Sequence, residues 1–220
     1  MADNTKKTDD SSAESEGAST EPTVDESKSA PTDREVEGPF DASEASAVRP
    51  YVDLGSLKIL PREGIQMRLD VEEGTQRIVA VSLDYHQSTL QLQAFSAPRS
   101  TGLWHEVREQ IREQLVAQKA RVDEREDVFG PELEAVITAA DGGSNRVRFI
   151  GVDGPRWLLR GVVSGAALSD DDAREKIYEI FRSVVVVRGE QPLPPRDLLA
   201  LRVPAAAAGE AGTEQGSLES

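Results

Sequence analysis

The 220-residue chain contains no cysteine. That excludes disulfides, thiolate catalysis, iron–sulfur clusters and cysteine-based zinc sites. Histidine is almost as scarce. His86 and His105 are the only two, and neither has an HxxE or HxxxH partner at ligand spacing. Both read as surface or edge residues, and no metal and no cofactor is expected. Long apolar runs are missing as well. Val184 to Val187 is among the longest, far short of the roughly 20 residues of a membrane span. The opening MADNTKKTDDSS carries no apolar segment, so no secretory signal is read there and a soluble cytoplasmic protein is expected. No GxxxxGK[ST] or GxGxxG follows a strand, and no GxSxG occurs, which speaks against P-loop, Rossmann and α/β-hydrolase chemistry.

Positive charge is in short supply. Lys and Arg number 25 against 40 Asp and Glu, a formal charge of −15. Residues 1–50 hold thirteen acids and five bases, so 5 − 13 = −8 lies there and −7 in the remainder. Such a chain repels phosphate backbones, and nucleic-acid binding through bulk charge is disfavoured, although a local basic strip stays open. Residues 1–37 have almost no large apolar side chain, too little to offset the entropy of ordering. They read as a disordered acidic tail, either solubilising or partner-binding, with Thr20, Thr23 and Thr32 as phosphorylation candidates. Residues 205–220 read as a second disordered tail. One globular domain over 38–204 remains, with Phe40 as the anchor of its first segment.

Within that domain the apolar pattern has two periods. Ile65, Met67, Leu69 and Val71 alternate with polar residues, as do Val79, Val81, Leu83 and Tyr85, and then Leu90, Leu92 and Ala94. Leu103, Val107, Ile111 and Leu115 recur at helical spacing, with Ser100 or Thr101 as the expected cap. Strands follow at about 122–127, 132–139, 146–153 and 156–164. The turns between them are Asp141-Gly142-Gly143-Ser144 and Asp153-Gly154-Pro155. Ser169-Asp170-Asp171-Asp172 opens a second helix, since carboxylates suit the positive end of its dipole. No DxDxDG calcium loop accompanies these acids. Val184 to Val187 reads as a buried strand, and the prolines 192, 194, 195 and 204 mark an extended arm.

Strands joined by short turns give an α+β fold, a mainly antiparallel sheet with two helices packed on it. Two arrangements fit that order. One is an α/β/α sandwich similar to the Mog1/PsbP type. The other is a duplicated strand-rich unit, since the two helical stripes stand about 66 residues apart.

Candidate chemistry rests on one pattern. Gln66, Arg68, Gln91, Gln93, Arg146, Arg148, Arg156 and Arg160 read as out of phase with the apolar residues of their strands. If the strands are neighbours, Arg148, Arg156, Arg160, Arg68 and Gln91 line one face able to take carboxylate or phosphate. Trp157 stands beside them, although it fits the core better than a stacking platform. The competing reading is a solvated sheet face balanced by nearby acids, as antiparallel sheets often have.

The blocks GPFD (38–41), VDLGSLKILP (52–61), FSAPRSTGLWHEVR (95–108), FGPELEA (129–135), RFIGVDGPRWLLRG (148–161) and VVVVRGEQPLPPRDLLALRVP (184–204) resemble an uncharacterised actinobacterial family defined by a domain of unknown function. Members are often encoded near a dUTPase and an OB-fold protein. The resemblance implies no activity, cofactor or catalytic residue, and at most a loose link to nucleotide or DNA maintenance. Two functional expectations follow. The first is a non-enzymatic soluble binding or adaptor domain with a protein partner. The second is a sensor or enzyme acting on an anionic, nucleotide-like molecule through the Arg/Gln face, which requires Arg148, Arg156 and Arg160 to converge.

Overall fold

Alternating apolar and polar residues set up the strands, and the structure pairs them largely as their periodicity indicates. A computed structural model describes residues 27–46, 48–138 and 143–204. The expected tails before 27 and after 204 lie outside the described residues, as does the Asp141–Gly142 part of one turn. Short elements come first: helix α1 (Arg34–Glu37) and strands β1 (Phe40–Asp41), β2 (Val52–Asp53) and β3 (Leu57–Ile59). Three longer strands follow, β4 (Ile65–Val71), β5 (Ile78–Tyr85) and β6 (Ser88–Ser96), and then helix α2 (Trp104–Ala117). Four more strands are β7 (Arg121–Asp127), β8 (Gly130–Thr138), β9 (Ser144–Asp153) and β10 (Trp157–Gly165). A 3-10 turn, helix α3 (Asp171–Arg182) and strand β11 (Val185–Val186) complete the order.

The seven long strands form one antiparallel sheet in the order β4-β5-β6-β10-β9-β8-β7. A smaller sheet runs β1-β11-β3-β2 and contains the parallel pair β1 and β11. The fold is therefore α+β and mainly antiparallel.

Side-chain alternation along β10 shows where the helices lie. Leu159 and Val163 pack with Ile177 and Phe181 of α3, whereas Leu158 packs with Trp104, Ile111 and Leu115 of α2. Adjacent residues of a strand point to opposite faces, so α2 and α3 cover opposite faces of the large sheet. Two copies related by a rotation through the central β6–β10 pair would put both helices on one face. The three-layer arrangement is the one found. The small sheet shares the α3 side, with Leu57, Ile59, Val184 and Val186 in the same core as α3.

Two expectations need correction. The folded unit reaches back past 38. Ser29 and Arg34 are buried, and the Ser29 and Asp153 backbones are tied by Asp153 N–H to Ser29 O at 2.8 Å. Residues 27–37 are held mainly by hydrogen bonds and ion pairs, with Ala30 packed against the core, and a reading of composition does not register those polar contacts. The second concerns α2. Neither Ser100 nor Thr101 caps it. Leu103 occupies the cap position with no side-chain cap bond of its own, and Asp153 at the end of β9 accepts the Leu103 amide instead, at 2.9 Å.

Candidate functional site

The structure separates the three arginines that were expected to converge. Arg148 lies on the α3 face of β9, where Nη2 donates to Glu134 at 2.9 Å and Nη1 to the Tyr178 hydroxyl at 3.1 Å. Arg160 lies on the opposite face. It donates to Gln93 and stacks over Phe95 at 5.3 Å. Gln91 and Arg68 share that second face, but each has a local acid. Gln91 donates to Asp70 at 2.8 Å, and Arg68 to Asp84 at 2.8 Å. Trp157 is fully buried in the core. The face therefore matches the competing reading, a polar sheet surface with its own acids.

The reason Arg148 was misplaced is local. In β9, Val147 and Phe149 face α2 while Ile150 and Val152 face α3, so both parities are apolar. A strand covered on both sides has no polar phase to read. Arg148 instead enters a buried ion cluster with Glu132 and Glu134, which are 1% and 6% exposed. The Tyr178 hydroxyl donates to Glu132 at 3.1 Å. Burial, helped by Asp127, pushes the Glu132 carboxyl up to about 7 against the pull of Tyr178 and Arg148. Burial also opposes the charge on Glu134, but Arg146 and Arg148 outweigh it and hold that carboxyl below its ordinary value.

Arg156 behaves differently. It sits in the β9–β10 turn and donates to the carbonyl of Gly189 at 2.8 Å. Around it opens a cleft of about 700 Å³ between this turn, the N-terminal strap, α1 and the loop before α2. Lys28, Arg34, Arg99 and Arg156 bring cations to its wall, and Glu35, Asp41 and Asp153 bring acids.

Most of the acids are already committed. Asp153 accepts the amides of Leu103 and Ser29, at 2.9 and 3.0 Å. Burial raises its pKa, and those amides pull it back only in part. Asp41 is pushed up by burial, but hydrogen bonds from Ser43 and Trp157 leave it below its ordinary value. Arg34 is the one cation with a matched acid, a bidentate pair to Glu44 at 2.7 and 2.8 Å.

Lys28 and Arg156 are held by neutral oxygens. Lys28 Nζ donates to the carbonyls of Gly154 and Pro155 at 2.7 and 2.8 Å. Burial lowers its pKa, Asp153 offsets some of that, and Arg34 adds to it. Arg188, beside Arg156, donates to Gln191 O at 2.9 Å and Ser96 Oγ at 3.0 Å. Burial, followed by the neighbouring Arg156, pushes its guanidinium below the ordinary value. Its Nε is buried without a partner. Carbonyls and a hydroxyl thus accept the hydrogen bonds of two guanidinium groups whose charges oppose each other.

Among the described residues, no group of three or more His, Asp or Glu side chains is arranged to hold a metal ion. No helix among them is long and apolar enough to cross a membrane.

A family profile matches residues 38–210. The chain belongs to the family described as "Protein of unknown function (DUF3710)". No curated protein matches it. Among solved structures it is similar to the solution structure of cyanobacterial PsbP (CyanoP) from Synechocystis sp. PCC 6803, with a TM-score of 0.39 and 14% identity, over 60% of this chain and 86% of that one. Arg99, Arg156 and Arg188 fall inside the residues that define the family match, and Lys28 precedes them. Sequence reasoning singled out Arg156 alone of these four. The others lie far apart in the chain, and no short-range spacing links them. The one available signal was that the three arginines each sit beside Pro or Gly, in APRS, DGPR and VRGE, where turns carry side chains to one end of a sheet.

Proposed function

We propose that this chain is a non-enzymatic binding domain whose cleft receives an anionic group, phosphate or carboxylate, of a small molecule. One observation carries the reading: Arg156, on the cleft wall, is held by the neutral Gly189 carbonyl, and the charge of nearby Arg188 opposes its own. Like charges kept together in the free protein are a cost that an arriving anion relieves, and guanidinium forks suit planar or tetrahedral oxyanions. The cleft's acids support binding over catalysis, because Asp41 and Asp153 spend their oxygens on structural hydrogen bonds.

The test is a thermal-shift titration of the full chain with pyrophosphate, nucleotides and tricarboxylates. Nucleotides are included because the family resemblance implies a dUTPase neighbourhood. A ligand that binds only the native state raises the melting temperature by mass action. The reading expects a saturable rise that Arg156→Gln and Arg188→Gln each remove. A rise that survives in both variants, or none with any anion, overturns it.

A further inference from the structure

The large sheet ends in two edges that the sequence treats differently. β7 reads RVDERED, with six charged residues in seven, and such charge blunts a strand edge against further pairing. β4, at the other edge, reads IQMRLDV and has neither Lys nor Pro. The β4–β5 pairing skips Val79, so the bulge belongs to β5 and β4 itself stays regular. In the small sheet the edge strands β1 and β2 have two residues each, too short to template another strand.

Two hydrogen bonds fix which way the β4 backbone faces. Glu72 N–H donates to Arg77 O at 2.9 Å, toward β5, whereas Ile65 N–H turns away from β5 to Arg62 O at 3.3 Å. Backbone groups alternate along a strand, so Met67, Leu69 and Val71 aim their N–H and C=O groups out of the sheet edge. Their side chains share the α3 face, since Met67 and Leu69 stand opposite the core residues Leu83 and Val81. Met67 and Val71 are 36% and 48% exposed. Arg68 and Asp70 lie on the other face, where α2 packs on β7, β8 and β9.

We propose that β4 pairs antiparallel with β4 of a second copy, about a two-fold axis at Leu69, and so joins two sheets into one. Charge sets the register. With Leu69 opposite its own symmetry mate, Arg68 stands opposite Asp70 of the second copy and Asp70 opposite its Arg68, while Met67 meets Val71. The Leu69 and Met67–Val71 pairs exchange backbone hydrogen bonds. The Arg68–Asp70 pairs fall at the non-hydrogen-bonded positions, where side chains approach more closely. An axis at Arg68 would instead set two arginines against each other, which is destabilising. The atoms for the new pair are at hand. Asp84 takes Nε and Nη2 of the exposed Arg68, and Ser82 and Gln91 both bond Oδ2 of Asp70. Nη1 and Oδ1 make the contact between copies. This self-complementary pattern selects a second copy over a foreign strand. The overlap from Met67 to Val71 buries little area, so the dimer is reversible. β4 contributes no residue to the cleft wall, and the inference stands independently of the anion-binding reading.

Sedimentation equilibrium of the full chain tests this, from about 1 µM to about 1 mM, in about 0.15 M salt to screen the net charge of −15. The average mass is expected to rise towards twice the 23.9 kDa of one chain. A mass that stays at one chain overturns the proposal. Arg68→Asp and Asp70→Arg are each expected to stay monomeric, because each sets like charges opposite one another. Mixed in equal amounts they should form a heterodimer, since the two acids of one chain then face the two arginines of the other. Variants that dimerise like the natural chain, or a folded mixture that stays monomeric, overturn it.

Two further readouts hold if a charge variant does not fold. Met67→Lys, at an exposed position, puts a lysine on the edge and is expected to abolish the dimer. A dimer that survives it places the interface elsewhere and ends the proposal. In the natural chain, hydrogen exchange of the Met67, Leu69 and Val71 amides should slow as concentration rises, with β7 unchanged. Slowing confined to other strands contradicts the β4 pairing.

Discussion

Asp153 Oδ1 accepts the backbone amide of Leu103 at 2.9 Å across 50 residues of chain, and so caps helix α2 from the end of strand β9. The other oxygen takes the Ser29 amide at 3.0 Å. One carboxylate therefore fixes the N-terminus of α2, the end of the sheet and the strap that walls the cleft. An N-cap contributes about 1 kcal/mol, and each buried amide left without an acceptor costs about 1–3 kcal/mol. Asp153→Ala is expected to cost about 3 kcal/mol in urea denaturation. It should also speed hydrogen exchange of the Ser29 amide more than that of Ile150, in the sheet interior. A change within about 0.5 kcal/mol, the ordinary range for surface substitutions, would contradict this role.

Next to Asp153 the sheet makes room for an aromatic ring. Trp104 lies against Gly151, and a Cβ placed there would run into three atoms of the indole. The ring is pinned on its other side by Nε1 donating to Pro131 O at 2.7 Å, so it has little freedom to retreat. Gly151→Ala is expected to destabilise by about 1–3 kcal/mol through overpacking. Trp104→Leu, added to it, removes the clash. The pair should then be less destabilised than the sum of the two single variants, and simple additivity would argue against the contact.

Much of the fold is legible in the sequence because burial there follows one period at a time. In β6, Leu90, Leu92 and Ala94 are buried while Gln91 and Gln93 face outward, as the alternation indicates. The carboxylate-rich start of α3 is legible for the same kind of reason. Asp170 accepts the Ala173 amide at 2.9 Å, a contact between near neighbours in the chain. Legibility fails where the determinant is distant. Asp153 reads as a turn residue before Gly154 and Pro155, and nothing nearby announces that it caps a helix 50 residues earlier. Arg148 reads as a surface residue because both phases of β9 are apolar. The cleft has the same character, since residues 28, 99 and 156 meet only after the sheet has formed.

The buried ion cluster leads to a pH-dependent expectation. The Glu132 pKa is raised to about 7 in the folded protein, from an ordinary value of 4.5. Between those values the folded state holds more protons than the unfolded one, so this group's contribution to stability falls as pH rises. The loss is complete above the folded pKa and amounts to about 3 kcal/mol. Other carboxylates, such as Glu134, are shifted the opposite way and hide the effect in the natural chain. The informative quantity is the stability of Glu132→Gln minus that of the natural chain. It is expected to grow by about 3 kcal/mol from pH 5 to pH 8. A difference that stays flat over that interval would mean Glu132 titrates normally.

Arg148 is the counterweight in that cluster. It is 3% exposed and faces Glu134 at 2.9 Å and Glu132 at 3.9 Å. Removing one partner of a buried pair costs about 3–5 kcal/mol, because the remaining charge has no compensation. Arg148→Met is expected to fall in that range at pH 8 and to cost less at pH 5, where Glu132 takes up a proton. Arg156→Gln should contrast with it. Arg156 gives up one bond to the Gly189 carbonyl and relieves its repulsion with Arg188. In low salt the ligand-free variant is therefore expected to be as stable as the natural chain or slightly more so. Adding salt should raise the stability of the natural chain relative to the variant, since screening weakens like-charge repulsion. A buried arginine that holds the fold together and a cleft arginine in the proposed anion site thus differ in sign. Denaturation of the two variants at low and high salt reads that sign directly, and a large loss of stability in Arg156→Gln would move it from the binding wall to the structural frame.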